Sequence, residues 1–323
     1  MKLKLCLASL FLLVSATMAL PQSKTPRETR NAALRYWMAF AEMQDASVDA
    51  TTQSLLGKTA AGEIPWDEKP LGSILDSNSE AIRIMQRATK LPECDWGLEY
   101  SEAPRGSVAY GTRARALARL NTLEGMREMA NGNSQGAVDA WLAGVRFSEH
   151  LANGGPLVFT LIAKSMLLPN LHAISVEAKR GHLSDFQKKQ ISLSLKQTRE
   201  GVFNWTTAWA LEASGGEQFL RELRSAKDPA AMYESLTGGP MPYGAKVPTS
   251  EDIRSYQEYT AAVQNALNLP PDATKLKLLT LESQRQALPV IVQNTIPYPL
   301  KMNESRVDVF AARKELLEIL SAK

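Results

Sequence analysis

Apolar residues recur at helical spacing through most of this chain, and that periodicity limits its fold more than any other feature. Leu34, Trp37, Met38 and Ala41 lie at i, i+3, i+4 and i+7, the spacing of one stripe along a helix. We expect this stripe to be buried, in a helix that runs from about residue 27 to residue 44. Sustained alternation of apolar and polar residues, which marks half-buried strands, is absent. The sequence therefore predicts an all-α protein.

Capping and breaking residues divide the chain into further helices. Thr25-Pro26-Arg27-Glu28 and Ser184-Asp185-Phe186-Gln187 have the spacing of capping boxes, and Gly215-Gly216 interrupts a helical pattern. Only Val290-Ile291-Val292 is a plausible strand. Besides the first helix, we expect helices near residues 50–60, 71–90, 108–131, 135–152, 157–179, 185–199, 202–213, 218–226, 251–267, 272–286 and 305–320.

One irregular segment separates these helices into two groups. Residues 237–248 carry three prolines and three glycines in twelve positions, a composition typical of loops. We expect a helical-hairpin domain over residues 25–236, a loop over 237–249, and C-terminal helices over 250–323 that pack on the same domain. Short connections favour antiparallel hairpins, so the expected architecture is an irregular stack of such hairpins with little or no β-structure.

The first nineteen residues have the pattern of a secretory signal peptide. Lys2 and Lys4 precede an apolar run from Leu5 to Val14, and Thr17-Met18-Ala19 supplies small residues for cleavage. We expect cleavage after Ala19, no membrane span thereafter, and a secreted or periplasmic protein.

Cleavage would leave a nearly neutral chain with one thiol. Removing two of the 37 basic residues leaves 35 against 34 acidic ones, so no affinity for polyanions follows. Cys94 would be the only cysteine, and an intramolecular disulfide is not expected.

The segment from Gly125 to Val145 resembles one helical hairpin of the tetratricopeptide type. Gly125 stands where the first helix needs a small residue, Gly132-Asn133 form the turn, and Trp141 is a large packing residue of the second helix. This resemblance, over about residues 119–152, implies helical hairpins stacked as an α-α superhelix and favours a binding role.

Residues 31–37 and 92–97 look like phrases of an uncharacterised family of secreted, all-helical bacterial proteins. That second resemblance covers most of the chain. It implies export and a helical fold, and it implies no particular activity.

The segment from residue 91 to residue 106 collects the residue types found at binding sites. Its aromatic and charged side chains offer stacking faces and hydrogen bonds, and long connections often carry function. We expect a binding site formed by Trp96, Tyr100, Glu102 and Arg105.

Two other interpretations of this segment remain open. Glu93, Asp95 and Glu99 could act as acid and base on a glycan or on peptidoglycan, since paired carboxylates hydrolyse glycosidic bonds. Alternatively, Cys94 and Trp96 fill the core while the carboxylates face solvent, because free cysteines and large aromatic residues are usually buried.

Several partial motifs do not carry the chemistry that they resemble. Gly132–Gly136 matches Gly-x-Ser-x-Gly, but a helix is predicted before it, where a nucleophile elbow needs a strand. Gly239–Lys246 has Ala245 where a phosphate-binding loop has its lysine. The three histidines lack metal-ligand spacing, so neither a metal nor a cofactor is expected.

Basic and apolar segments have simple structural explanations. Arg113, Arg115 and Arg119 form, with Arg105, a basic stretch without a nucleic-acid motif, so we expect a solvated helix face and no nucleic-acid partner. Leu157–Val176 is the most apolar part of the mature chain. Because it contains a lysine, a buried helix is favoured over membrane insertion.

Taken together, these observations predict a secreted or periplasmic helical protein that serves as a non-catalytic binding or scaffold module. Its expected partners are a protein, a peptide or a cell-wall glycan. The alternative is an extracytoplasmic hydrolase that acts on glycan or peptidoglycan through the carboxylates of the 91–106 segment.

Overall fold

The computed structural model describes residues 29–44, 49–98, 109–197 and 203–322. Within these ranges the chain folds into α-helices and contains no strand, which confirms the predicted all-α class. The helices are α1 (Ala32–Glu42), α2 (Ala50–Ala60), α3 (Glu68–Ser77), α4 (Ser79–Ala88), α5 (Ala109–Ala130), α6 (Ser134–Ala152), α7 (Leu157–Lys179), α8 (Asp185–Gln197), α9 (Trp205–Ser225), α10 (Pro229–Thr237), α11 (Ser250–Leu267), α12 (Pro271–Ala287), α13 (Val290–Thr295) and α14 (Pro299–Ser321).

Helices α5 and α6 form an antiparallel hairpin at the centre of the fold. Asn121 Nδ2 donates to the Ala140 carbonyl at 2.8 Å, and Trp141 Nε1 donates to the Thr122 carbonyl at 3.2 Å. Gly125 permits this close approach, because a Cβ atom there would overlap the Trp141 indole. A helical hairpin therefore stands where the sequence resembles a tetratricopeptide hairpin, and the stacking typical of that repeat stays a prediction.

Helix α7 packs antiparallel on α6 and ties all three central helices together. Gly144 of α6 faces the amide of Asn170, where a Cβ atom would overlap it. Asn170 is buried, and its Oδ1 accepts a hydrogen bond from Thr122 Oγ1 of α5 at 3.2 Å. Small residues on the helix faces thus allow polar side chains to be buried with partners.

The apolar helix α7 lies against several neighbours. Among the described residues it is the one helix long and apolar enough to cross a membrane, and 56% of its most apolar window is buried. It contacts α5, α6, α9 and α14, and Lys164 pairs with Asp308 of α14 at 2.5 Å. Length and composition are weak evidence for a span, since an interior helix of a globular protein passes the same test.

Helices α1 and α4 form a second antiparallel pair, with α2 and α3 between them in the chain. The single helix predicted over residues 71–90 is wrong, because Asn78 leaves helical geometry at φ −108° and ψ 7° and separates α3 from α4. Its Oδ1 accepts from the Gln44 amide at 3.0 Å, and its Nδ2 donates to the Ile74 carbonyl at 2.9 Å. This buried asparagine is held by tertiary contacts as well as local ones.

Among the described residues, the first helix begins later than residue 27, where it was predicted to begin. α1 starts at Ala32, and the side chain of Asn31 accepts a hydrogen bond from the Ala33 amide at 3.1 Å as its N-cap. The predicted capping box at residues 25–28 lies outside the described residues.

Helix α9 runs through Gly215-Gly216, so the predicted break there is wrong. Tyr256 of the antiparallel α11 donates its hydroxyl hydrogen to the Ala213 carbonyl at 3.0 Å. A Cβ atom at Gly216 would overlap that hydroxyl. The glycine therefore serves the approach of a neighbouring helix, which local sequence does not reveal.

The remaining corrections concern the C-terminal part. Val290–Thr295 is a short helix, α13, and not the plausible strand; Pro289 is its N-cap, at φ −57° and ψ 146°. α10 occupies Pro229–Thr237, where no helix was predicted, and α14 begins at Pro299, earlier than residue 305. Residues 238–249 connect α10 to α11 without a helix.

Candidate functional site

The predicted binding residue Trp96 lies in the core. It is 4% exposed, and its ring centroid is 5.5 Å from that of Tyr36 and 5.0 Å from that of Tyr110. Its Nε1 donates to the His150 carbonyl at 3.1 Å. Since the indole is almost fully buried and its Nε1 has a partner, Trp96 offers no open stacking surface. The other members of the predicted set, Tyr100, Glu102 and Arg105, lie outside the described residues.

Of the three predicted acid and base residues, the structure describes Glu93 and Asp95. Glu93 and Asp95 are both exposed, and Asp95 Oδ1 accepts from the Gly97 amide at 2.9 Å. The backbone of Asp95 is held by the side chain of Asn31, which accepts at 2.9 Å and donates at 2.7 Å. Glu99 lies outside the described residues, so the hydrolase alternative stays a prediction.

Cys94 is a poor nucleophile in this fold. Burial, reinforced by the charge of Asp95, raises the pKa of its thiol to about 12. The thiolate is the reactive form of cysteine, so this side chain is a protonated, unreactive thiol near neutral pH.

Beneath the segment lies a buried hydrogen bond between α1 and α6. The hydroxyl of Tyr36 and Nδ1 of His150 are 2.7 Å apart. Burial, reinforced by the charge of Arg146, lowers the pKa of His150 to about 4. Burial also raises the pKa of Tyr36 well above its usual value. The pair is therefore neutral at physiological pH and holds α1 in place without a net charge.

Helix α1 carries an exposed apolar face, and this overturns the predicted burial of its stripe. Leu34 is 54% exposed, Trp37 39% and Met38 51%, and Ala41 is also exposed. The opposite face is the buried one, with Ala32, Ala33, Tyr36, Ala39 and Phe40. Both faces of α1 are apolar, and periodicity cannot tell which of them meets the core. We call Leu34, Trp37 and Met38 the α1 face.

Ser134, the serine of the Gly-x-Ser-x-Gly match, is the first residue of α6 and directly follows a helix–helix turn. Helix α5 precedes it, Asn133 is the N-cap of α6, and the side chain of Asn133 accepts from the Gly136 amide at 3.0 Å. Ser134 Oγ accepts from Nε2 of Gln187 at 3.0 Å. An amide is no general base, so this arrangement does not activate the hydroxyl.

A polar groove of about 620 Å³ crosses α4, α5, α6 and α8. Its charged residues are Lys90, Glu124, Glu128, Asp139 and Arg146. Burial raises the pKa of Glu124. An open groove across several helices suits an extended polar chain better than a small substrate.

A second cleft, of about 560 Å³, lies between the loop that follows α2 and helices α5, α6 and α7. We call it the α2 loop cleft. Its apolar lining includes Ile64, Trp66, Met126, Met129, Trp141 and Val176. No sequence pattern marks this cleft, because its walls come from segments far apart in the chain.

The end of α7 places three polar residues at this cleft. Gly181 adopts φ 75° after the last helical turn, and the His182 amide donates to the Glu177 carbonyl at 3.1 Å, as in a Schellman motif. The turn brings His182 Nδ1 to 2.6 Å from Glu177 Oε2, and Arg180 donates to Glu177 Oε1 at 2.8 Å. The one sequence signal for this cluster is a glycine just past an apolar helix.

No group of three or more metal-ligating side chains is arranged to hold a metal ion within the described ranges. No protein-family model matches the chain, and neither a curated protein nor a solved structure matches it.

Proposed function

We propose that this protein is an exported, non-catalytic binding module that holds a protein partner on the α1 face. The observation that carries the proposal is the exposure of Leu34, Trp37 and Met38 side by side on one helix. Large apolar groups clustered on a surface are typical of interaction sites, whereas single exposed ones are common.

The α1 face is rigidly supported. Trp37 packs edge-on against Phe40 and Trp96, with ring centroids 5.7 Å and 5.9 Å apart. The neighbouring Tyr36 hydroxyl is hydrogen-bonded to Nδ1 of His150 at 2.7 Å. A preorganised surface loses little conformational entropy on binding. Covering the exposed parts of the three side chains would contribute roughly 3 kcal/mol, from the usual value for burying apolar side chains.

Binding is favoured over catalysis by the state of two candidate nucleophiles, Cys94 and Ser134. The thiol of Cys94 has a pKa of about 12, and the hydroxyl of Ser134 is paired with an amide. Neither group is activated. The polar groove across α4, α5, α6 and α8 gives an extended partner a second place to lie.

Site-specific photo-crosslinking tests the proposal directly. A benzophenone amino acid is placed at position 34 or 38 of the full chain in the cells that make it, and at position 193 as a control. Leu193 of α8 is also 51% exposed and lies outside the α1 face. We expect a discrete adduct with one other protein from positions 34 and 38 but not from 193.

Equal adducts from all three positions, or none from 34 and 38, would contradict the proposal. An adduct with the mass of two chains would show that the protein bound at the α1 face is a second copy of this chain and not a different protein.

A further inference from the structure

The α2 loop cleft is a built pocket with an apolar interior and a polar rim. Its floor and walls are tryptophan, methionine and aliphatic side chains from three separate segments. Its volume of about 560 Å³ falls in the range of clefts that bind small organic molecules. Methionine side chains adapt their shape to irregular apolar ligands.

The loop that forms one wall is fitted closely to α7. Gly62 has φ 76°, a conformation that favours glycine. A Cβ atom there would lie 2.8 Å from the His172 imidazole, so only glycine lets the loop approach this side chain. The wall is thus held against the helix by backbone geometry and is not a loose flap.

At the rim of the cleft, both carboxylate oxygens of Glu177 already accept hydrogen bonds, whereas Arg180 has N–H groups that are not bonded to this carboxylate. Both oxygens of Glu177 have partners, His182 and Arg180, and the Glu177 side chain is only 11% exposed. Arg180 commits one nitrogen to that carboxylate, its side chain is more than half exposed, and a guanidinium carries five N–H donors. His172 adds another imidazole to the rim.

We propose that the α2 loop cleft binds an apolar organic anion, with its hydrocarbon part between the tryptophan and methionine side chains and its anionic group at Arg180. A guanidinium recognises carboxylates and sulfonates through paired hydrogen bonds. Glu63, an exposed carboxylate on the loop wall, opposes such a ligand and sets the strength of binding. This site is independent of the α1 face and of the function proposed for it.

Two dyes that differ by one charged group test the ligand class. 1-Anilinonaphthalene-8-sulfonate carries a sulfonate, and N-phenyl-1-naphthylamine is the same skeleton without it. Both are titrated by fluorescence into the folded chain from residue 20 onward. We expect both to bind, and the anion to bind about three- to tenfold more tightly, the gain from one hydrogen bond of typical net strength at this exposed rim.

A filling variant locates the binding site. Ala130 lines the cleft and is exposed, so Ala130→Trp fills the space without disturbing the core. Ala230→Trp, at an exposed alanine in α10, is the matched control. We expect at least a tenfold loss of dye affinity in the first variant and none in the second. Unchanged binding in Ala130→Trp would overturn the proposal.

Charge variants test the head group. Arg180→Gln should weaken the anionic dye about three- to tenfold, and Glu63→Gln should strengthen it, while the neutral dye is unchanged in both. Arg254→Gln is the control, because Arg254 is equally exposed and also pairs with a glutamate three residues before it. If Arg180→Gln weakens both dyes equally, the anionic head group is ruled out.

Competition distinguishes two sources of the same chemistry. Decanoate represents a free fatty acid, and an N-acetylated apolar dipeptide, with its C-terminus free or amidated, represents a chain end. Displacement of the sulfonate dye by decanoate or by the free-acid peptide supports the class and identifies its source. Displacement by the amide as strongly as by the free acid contradicts it.

Discussion

At the scale of single residues, the pKa values of two adjacent side chains of α6 are shifted in opposite directions. Glu149 is 3% exposed, and burial raises its pKa to about 7 against the opposing charges of Arg146 and Arg313. Its Oε2 pairs with Arg146 at 3.0 Å, whereas Oε1 has no hydrogen-bond partner in the described structure. The neighbouring His150 has a pKa lowered to about 4. Both shifts arise chiefly from burial, which penalises the charged form of either group.

For Glu149→Gln, we expect stability to rise with pH between about 4 and 6.5. A buried carboxyl with a raised pKa stabilises the fold below its unfolded value near 4.5, and that contribution is lost as pH rises to about 7. Its size is on the order of 3 kcal/mol. When Glu149 no longer titrates, the pH dependence of stability that comes from His150 remains, and it has the opposite sign. Urea unfolding at closely spaced pH values measures this, and a profile identical to wild type would refute it.

For His150→Asn, the expected slope has the other sign. A histidine with a lowered pKa stabilises the fold above its unfolded value of 6.5 and loses that contribution as pH falls to about 4. Asparagine retains a hydrogen-bonding group for Tyr36 but does not titrate. Stability should then fall between about pH 4.5 and 7, the window of Glu149. Since the two terms are similar in size, the wild type should vary little over the shared range, and the double variant serves as the control.

At the scale of helices, glycines decide how closely neighbours pack. Gly57 and Gly216 both lie inside helices, and local sequence treats them alike. A Cβ atom at Gly57 would meet nothing within 4 Å, whereas one at Gly216 would overlap the Tyr256 hydroxyl. Their roles differ only through the partner helix.

The pair gives a matched test. Gly57→Ala should stabilise the protein by about 0.5–1 kcal/mol, the helix propensity difference between the two residues. Gly216→Ala should destabilise it by about 1–3 kcal/mol, because overpacking pushes α11 away and strains the Tyr256 hydrogen bond. Thermal or urea unfolding of both variants measures the signs. Stabilisation by both would show that α9 and α11 are not in close contact.

At the scale of the whole molecule, export and stability are linked through the single thiol. If cleavage follows Ala19, the mature protein begins at Leu20 and keeps only Cys94. No intramolecular disulfide can then form, so the helical core alone must hold the fold in an oxidising compartment.

Expression of the full sequence in bacteria tests this. Intact-mass measurement of the extracytoplasmic fraction should give a chain that begins at Leu20, and Ala19→Arg should block cleavage and leave the precursor in the membrane fraction. Full-length protein in the cytosol would refute the proposed export. Reductant should leave the melting temperature of the mature protein unchanged.

What the sequence determined by itself is the class of structure and most helix positions. Helical periodicity, capping residues and prolines act within one or two turns, so they are readable from neighbours in the chain. α7, for example, has the predicted bounds Leu157–Lys179. The predicted loop before α11 is equally local in origin, because its prolines and glycines oppose helix formation without help from other segments.

Only the tertiary structure decided which surfaces meet. α1 has two apolar faces, and the one with small alanines and Tyr36 is buried because it fits α4 and supplies a partner for His150. Gly216 lies inside a helix because any larger residue there would overlap the hydroxyl of Tyr256. The α2 loop cleft joins segments more than a hundred residues apart. Burial, close approach and cavity shape depend on pairs of distant residues, and a pattern of neighbours along one chain does not contain them.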